Sequence, residues 1–275
     1  MEAQKKKGKI MYPYEIFLGM DLYTILFAVG VILCTVFIRL QSDWRGLRAG
    51  LQNLFLINTI AAVVLGYGCA VLLQAFYNFM ANGKFEITDS TGATFYGGLI
   101  GGTALFIIIY YVAGHFLFKD RYHFQHLRTA SDIAPACICI AHGFGRLGCL
   151  MAGCCYGAKC DAWYCIEMVN LGYKVVPVQL FEAIYLIGLS VVFLLLFKRE
   201  KKYLMPAYMM AYALWRFVAE ILRNDYRGET VVDFLTPSQF VSVLLLAGGL
   251  LLLGIELFVD RKKATCPCAE GGFHE

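Results

Sequence analysis

The side chains able to do chemistry stand in the most apolar parts of this chain. His142 and Arg146 are four residues apart, and Arg216, Glu220 and Arg223 follow at i, i+4 and i+7, so each set shares one helix face. Pro177, Gln179 and Glu182 open a third apolar stretch. A charge inside a membrane is costly unless paired or wetted, so each marks a functional position. One reading is interhelical ion pairing, Arg216 with Glu182 for instance. The other is a wet, cationic pocket for an anionic headgroup, because guanidinium forks match phosphate oxygens two at a time. Two arginines beside about two carboxylates leave positive charge over, which favours the pocket.

Glycine and cysteine add two further signals. Tyr96-Gly97-Gly98-Leu99-Ile100-Gly101-Gly102 holds two overlapping G-x-x-x-G spacings, and Gly143, Gly145, Gly148, Gly153 and Gly157 cluster around Arg146. Close helix packing is the expected role of Gly101 and Gly102. The glycines bracketing Arg146 suggest backbone opened for a ligand. Cys149, Cys154, Cys155, Cys160 and Cys165 fall in one window, the last four in an expected outer loop where disulfides persist. Adjacent Cys154-Cys155 followed by the wider spacings to Cys160 and Cys165 matches no usual two-by-two zinc ligand set. Those four are therefore disulfide candidates, and no metal is expected. Cys266-Pro267-Cys268 reads as a reduced cytoplasmic tail.

The elements that must position these residues are membrane spans. Of 275 residues, 59% are hydrophobic and 16% charged, against about 25% charged in soluble domains. Such a chain cannot cover a globule in water, which excludes a soluble enzyme, and it is too apolar for disorder. The net charge of +4 is small and its lysines and arginines are scattered, so no nucleic acid partner is expected. A spanning helix needs about 20 apolar residues. Seven stretches qualify, roughly 20–38, 54–80, 95–117, 132–152, 177–197, 203–222 and 237–259, the second expected to tilt or break near Gly66-Tyr67-Gly68.

Arg39, Arg45, Arg48, Lys119, Arg121, Arg128, Lys198, Arg199, Lys201, Lys202, Arg261, Lys262 and Lys263 flank one side of these spans. They outnumber Lys84, Lys159, Lys174, Arg223 and Arg227 on the other. The richer side is expected to face the cytoplasm, with the N-terminus outside and the C-terminus inside, although Lys5, Lys6, Lys7 and Lys9 run against it. No cleavable signal peptide is evident. The expected organisation is an N-terminal segment 1–17, an all-α seven-span domain 18–260 and a cytoplasmic tail 261–275.

Over roughly residues 18–259 these pieces resemble the prolipoprotein diacylglyceryl transferase family. Leu22-Tyr23 is similar to its Trp-Tyr-Gly segment, and Phe95-Tyr96-Gly97-Gly98-Leu99-Ile100-Gly101 resembles F-H-G-G-L-I-G. Asp132-Ile133-Ala134-Pro135 leading to Gly145-Arg146-Leu147-Gly148-Cys149 resembles D-x-I-A-P followed by G-R-I-G-N. Pro177-Val178-Gln179-Leu180-Phe181-Glu182 is similar to P-S-Q-L-Y-E. Arg216-Phe217 with Glu220 and Arg223-Asn224 resembles R-F-x-x-E-x-x-R-E, and Ser238-Gln239 a following S-Q. Tyr96 and Val176 stand where the family has histidine, Cys149 where it has asparagine, and Cys154 where it has glutamate.

The resemblance implies a multi-pass enzyme of a bacterial plasma membrane. It would move the diacylglyceryl group of phosphatidylglycerol onto the lipobox cysteine thiol in the signal-peptide region of a prolipoprotein, releasing glycerol phosphate, with no cofactor. Displacement at carbon with a phosphate leaving group calls for cations where charge builds, the expected role of Arg146 and Arg216. The thiol must become a thiolate, and Tyr96, Tyr23 or His142 could accept or relay its proton. Tyr23, Gly97, Gly98, Gln179, Glu182, Glu220, Arg223 and Gln239 are the expected substrate-binding residues. Two other classes stay open: a related lipid transferase with a glycan or small-molecule acceptor, and a membrane thiol oxidoreductase using the loop cysteines. A transporter would show an internal repeat, and none is visible.

Overall fold

The structure is a computed structural model describing residues 15–17, 19–83, 85–88, 91–168, 171–223 and 235–265. Lys5, Lys6, Lys7, Lys9, Asn224, Arg227 and Cys266-Pro267-Cys268 lie outside the described residues. A two-stranded hairpin, β1 (Glu15–Phe17) with β2 (Met20–Asp21), leads into α1 (Leu22–Trp44). Then come α2 (Ala49–Asn82), α3 (Phe95–Leu117), the short α4 (Tyr122–Gln125) and α5 (Leu127–Ala152). A second small hairpin, β3 (Ile166–Glu167) with β4 (Lys174–Val175), precedes α6 (Val178–Lys198), α7 (Leu204–Ile221) and α8 (Pro237–Thr265). A helix thus occupies each of the seven expected stretches. Six of them, all but α7, are long and apolar enough to cross a membrane. The exception has a physical cause: Arg216 and Glu220 fall within its 18 residues.

The chain forms two compact units, one from the described residues up to Cys34 and from Ser131 on, the other from Thr35–Ala130. In the second unit α2 packs on α3 through glycine. A Cβ built on Gly97 would stand 2.8 Å from the Cys69 carbonyl oxygen, one on Gly66 3.1 Å from Gly102 Cα, and one on Gly101 would overlap Cys69. The expected break near Gly66-Tyr67-Gly68 is absent. α2 runs unbroken for 34 residues, roughly 50 Å at 1.5 Å per residue, because Gly66 serves contact with α3 rather than a kink. Beyond α3, Arg48 pairs with Asp120 and lies 4.1 Å over the Tyr122 ring.

The first unit is built around α5, half of whose apolar window is buried, against a third for α6, 17% for α1 and 11% for α8. Ser190 Oγ on α6 donates to the Ala136 carbonyl at 2.7 Å. Gly143 admits Ile187 of α6, and Gly148 admits the Tyr23 ring of α1. α5 therefore runs unbroken past Arg146, and the opened backbone expected there is not present; Gly143 and Gly148 use their missing side chains for packing, whereas Gly145 faces open space. Buried Asp132, near the start of α5, accepts the Leu204 N–H at 2.8 Å and so holds the first turn of α7. α7 carries Arg216, so this bond helps place it.

Candidate active site

Four ionisable side chains from α5, α6 and α7 converge in the first unit. Glu182 is fully buried on α6, and each of its oxygens has work. Oε2 lies 3.0 Å from Arg146 Nε on α5, an ion pair whose angle falls short of a hydrogen bond. Oε1 accepts from the Tyr212 hydroxyl of α7 at 2.9 Å and lies 3.9 Å from His142 Nε2. His142 and Tyr212 also meet edge to face, ring centroids 5.3 Å apart. A carboxylate this deep is tolerable only with such partners.

Arg216 forms the second pair. Its Nη2 lies 2.7 Å from Glu220 Oε2, one turn on, and donates to Ser238 Oγ of α8 at 2.6 Å. Thr236 Oγ1 donates to Glu220 Oε1 at 3.3 Å. The arginines therefore match the carboxylates one to one, and the surplus charge inferred from sequence is not found among these four. The anticipated pairing of Arg216 with Glu182 is replaced by Arg146 with Glu182, because helical spacing already gives Arg216 a carboxylate at i+4. What is left over is donor capacity. Arg216 Nη1 is buried without a hydrogen-bond partner, a state costing about 1–3 kcal/mol.

The remaining expected residues have varied placements. Gln179, fully buried, donates its side-chain amide to the Cys154 carbonyl at 3.0 Å. Gln239 belongs to a capping box at the start of α8: its N–H donates to Thr236 Oγ1 at 3.2 Å, and its Oε1 accepts the Thr236 N–H at 3.1 Å, with Pro237 between. Arg223 follows the end of α7, half-buried and electrostatically close to Cys155. Tyr23 lies against Gly148, in electrostatic range of Arg146 and of Cys149, Cys154 and Cys155. Tyr96, Gly97 and Gly98 belong to the other unit. Gly97 packs on α2; Tyr96 is on the first turn of α3, and its side chain lies outside the described residues.

Sequence reasoning missed Tyr212 and Thr236, and reached Ser238 only as part of the Ser238-Gln239 motif, with no role of its own. Tyr212 was within reach, since it precedes Arg216 by four residues on the same face. The contacts of Ser238 with Arg216 and of Thr236 with Glu220 give no such signal, because these partners lie on another helix.

Of the loop cysteines, Cys160 and Cys165 are joined in a disulfide, whereas Cys154 and Cys155 are free thiols. The loop carrying them sits on the ends of α5 and α7. Gly157 donates to the Val176 carbonyl and Ala158 to the Leu222 carbonyl, at 2.8 and 3.1 Å. A Cβ on Gly157 would stand 2.6 Å from Leu222 O, so only glycine fits that crossing. Cys165, Val176, Val178 and Ala219 form the apolar cluster beneath.

Residues 13–255 match the family model described as prolipoprotein diacylglyceryl transferase. Phosphatidylglycerol–prolipoprotein diacylglyceryl transferase 2 of Clostridium perfringens is 33% identical over 263 residues, spanning 90% of this chain and 96% of the relative. The enzyme so named from Clostridium tetani is 26% identical over 245 residues, 86% and 93% of the two chains. That of Dehalococcoides mccartyi is 28% identical over 257 residues, 88% and 89%. The match reaches into every helix described above, ending within α8, and takes in both arginine–glutamate pairs, and the chain belongs to the prolipoprotein diacylglyceryl transferase family.

Proposed function

We propose that this protein transfers the diacylglyceryl group of phosphatidylglycerol to the lipobox cysteine thiol of a prolipoprotein, releasing glycerol phosphate. The observation that carries the reading is the arginine arrangement. Arg146 meets its glutamate through Nε and Arg216 through Nη2, and the buried Nη1 of Arg216 lacks a partner. Both guanidinium groups thus keep donors for another oxyanion while their glutamates hold them still. As the thiolate sulfur forms its bond to the glycerol carbon, the C–O bond breaks and negative charge builds on the departing phosphate. Fixed donors there stabilise that charge without reorganising.

Glu182, Glu220, Gln179, Tyr23 and Arg223 hold the arginines and shape the substrate region, and His142 positions Glu182. Tyr96, from the resemblance, relays the acceptor's proton. In this reading α7 also crosses, which makes seven crossings, the N-terminus lies outside, the C-terminal tail is cytoplasmic, and the membrane is the bacterial plasma membrane. Charged residues fall on α7 because they line the reaction site rather than face lipid. The test is purified protein in phosphatidylglycerol vesicles with a lipobox peptide, read by mass spectrometry. A peptide heavier by one diacylglyceryl group is expected. Peptide recovered unchanged, or joined only by disulfides, overturns the proposal.

A further inference from the structure

The free thiols of Cys149, Cys154 and Cys155 come together at the outer end of α5. Their sulfurs all lie within 4.8 Å of one another. Cys149 is on the last turn of the helix. The chain then reverses through left-handed backbone at Gly153 (φ 71°) and Cys155 (φ 62°), and the Cys154 N–H returns to the Cys149 carbonyl at 3.1 Å. A left-handed non-glycine residue is uncommon, and here it turns the third sulfur onto the other two. The buried Gln179 amide pins the Cys154 carbonyl from α6.

We propose that these three cysteines bind a thiophilic divalent cation of the zinc class, whose open fourth position takes the acceptor's cysteine sulfur. A tetrahedral zinc–thiolate site with bonds of about 2.3 Å sets its sulfurs roughly 3.8 Å apart, so closure needs shifts of about 1 Å at most. Three protein ligands with one open position is the form of a catalytic zinc site, unlike a closed two-by-two structural one. Charge fits as well. Three thiolates and a divalent ion leave one negative charge, beside Arg146 and Arg223.

The inference rests on the transfer reaction proposed above and gives its nucleophile a source. A coordinated thiol is deprotonated outright. The acceptor S–H replaces water at the ion, and its proton passes to bulk water. The sulfur lone pair then forms the S–C bond as the C–O bond breaks, its electron pair going to the phosphate oxygen. One thiolate and one phosphodiester charge become the two charges of glycerol phosphate, and the neutral thioether gives way to water.

The test uses the full chain in detergent, stripped of metal and reloaded with cobalt(II) as a spectroscopic stand-in. Expected are one ion per chain and an intense sulfur-to-cobalt charge-transfer band. The band should disappear in the triple variant Cys149→Ser, Cys154→Ser, Cys155→Ser and survive in Cys160→Ser, Cys165→Ser. A lipobox peptide should strengthen it, and the same peptide with serine for cysteine should not. No such band in the folded wild-type protein, a band that outlives the triple variant, or a disulfide among the three overturns the site. A band indifferent to the cysteine peptide overturns the acceptor role. Transfer at full rate by metal-free enzyme sinks this inference and leaves the proposed function standing. Peptide-sensitive cobalt binding without transfer does the reverse.

Discussion

Arg146 Nε and Glu182 Oε2 stand 3.0 Å apart between α5 and α6, the carboxylate wholly buried and the arginine side chain 15% exposed. The carboxylate neutralises the guanidinium and fixes its plane while leaving its far nitrogens to a ligand. Lysine at this position keeps the charge and loses the fork. Arg146→Lys is expected to lower turnover at least ~10²-fold, the scale of one lost transition-state donor. Near-normal kcat in the vesicle assay would remove Arg146 from the phosphate.

Arg216 makes a sharper case, because its buried Nη1 has no partner while Nη2 is committed to Glu220 and Ser238. Arg216→Lys should match Arg146→Lys in lost turnover. Ser238→Ala removes one acceptor from Nη2 and should cost less, roughly the 0.5–1.5 kcal/mol of a single hydrogen bond. Steady-state kinetics on the two variants check the order. A Ser238→Ala defect as large as that of Arg216→Lys would mean that the hydroxyl, and not the guanidinium, meets substrate.

The Asp132 side chain and the Leu204 N–H are joined at 2.8 Å and buried, tying the start of α5 to the start of α7. Asp132→Ala leaves that N–H without its acceptor, at a cost of about 1–3 kcal/mol. A lower Tm is expected, with reduced turnover from the displaced Arg216. An unchanged Tm in scanning fluorimetry counts against the tie.

The spans were legible because lipid imposes a simple rule: about 20 apolar residues per crossing. The expected 95–117 coincides with Phe95–Leu117, and 203–222 with Leu204–Ile221. His142 and Arg146, and Arg216 and Glu220, were legible as helix-face pairs, since spacing of four is a local property. The carboxylate that His142 and Arg146 share on α6 was not. Which carboxylate Arg146 meets depends on how α5 lies against α6, and periodicity carries no information about that. Gln239 shows the opposite limit. Thr236-Pro237-Ser238-Gln239 is a capping box readable from sequence alone, yet its place after the arginine helix drew attention to substrate. The sulfur cluster was missed because it depends on left-handed backbone at Cys155, a non-glycine residue.

His123, between α3 and α5, is fully buried against Tyr110 and Phe118, and neither ring nitrogen has a hydrogen-bond partner among the described residues. Burial, followed by the neighbouring His115, holds its pKa below the ordinary histidine value. The folded protein thus takes up a proton at this ring less readily than the unfolded chain does. Its contribution to stability is complete above about pH 6.5, the ordinary histidine pKa, and is lost as pH falls below that. Tm should drop between pH 7.5 and 5.5, and the drop should shrink in His123→Phe. The same loss in both proteins would place the sensitivity elsewhere.

The last prediction concerns the proton of the acceptor thiol, for which Tyr96 and His142 are the two side-chain candidates. His142 Nε2 faces Glu182 Oε1 at 3.9 Å, an oxygen that also accepts from Tyr212. That position suits a residue orienting the glutamate behind Arg146. Glutamine retains an N–H donor, so His142→Gln should keep most of the turnover. Tyr96 stands at the motif position and has no such structural task assigned; Tyr96→Phe removes only the hydroxyl and should cost at least ~10-fold, short of the 10²–10⁴ of a full general base because a bound cation already acidifies the thiol. The two variants, assayed across pH with the same peptide, separate the roles. A larger loss in His142→Gln, with an ascending limb that vanishes, would make the imidazole the proton acceptor. Near-wild-type rates in both would leave the cation and the arginine field to ionise the thiol without either side chain.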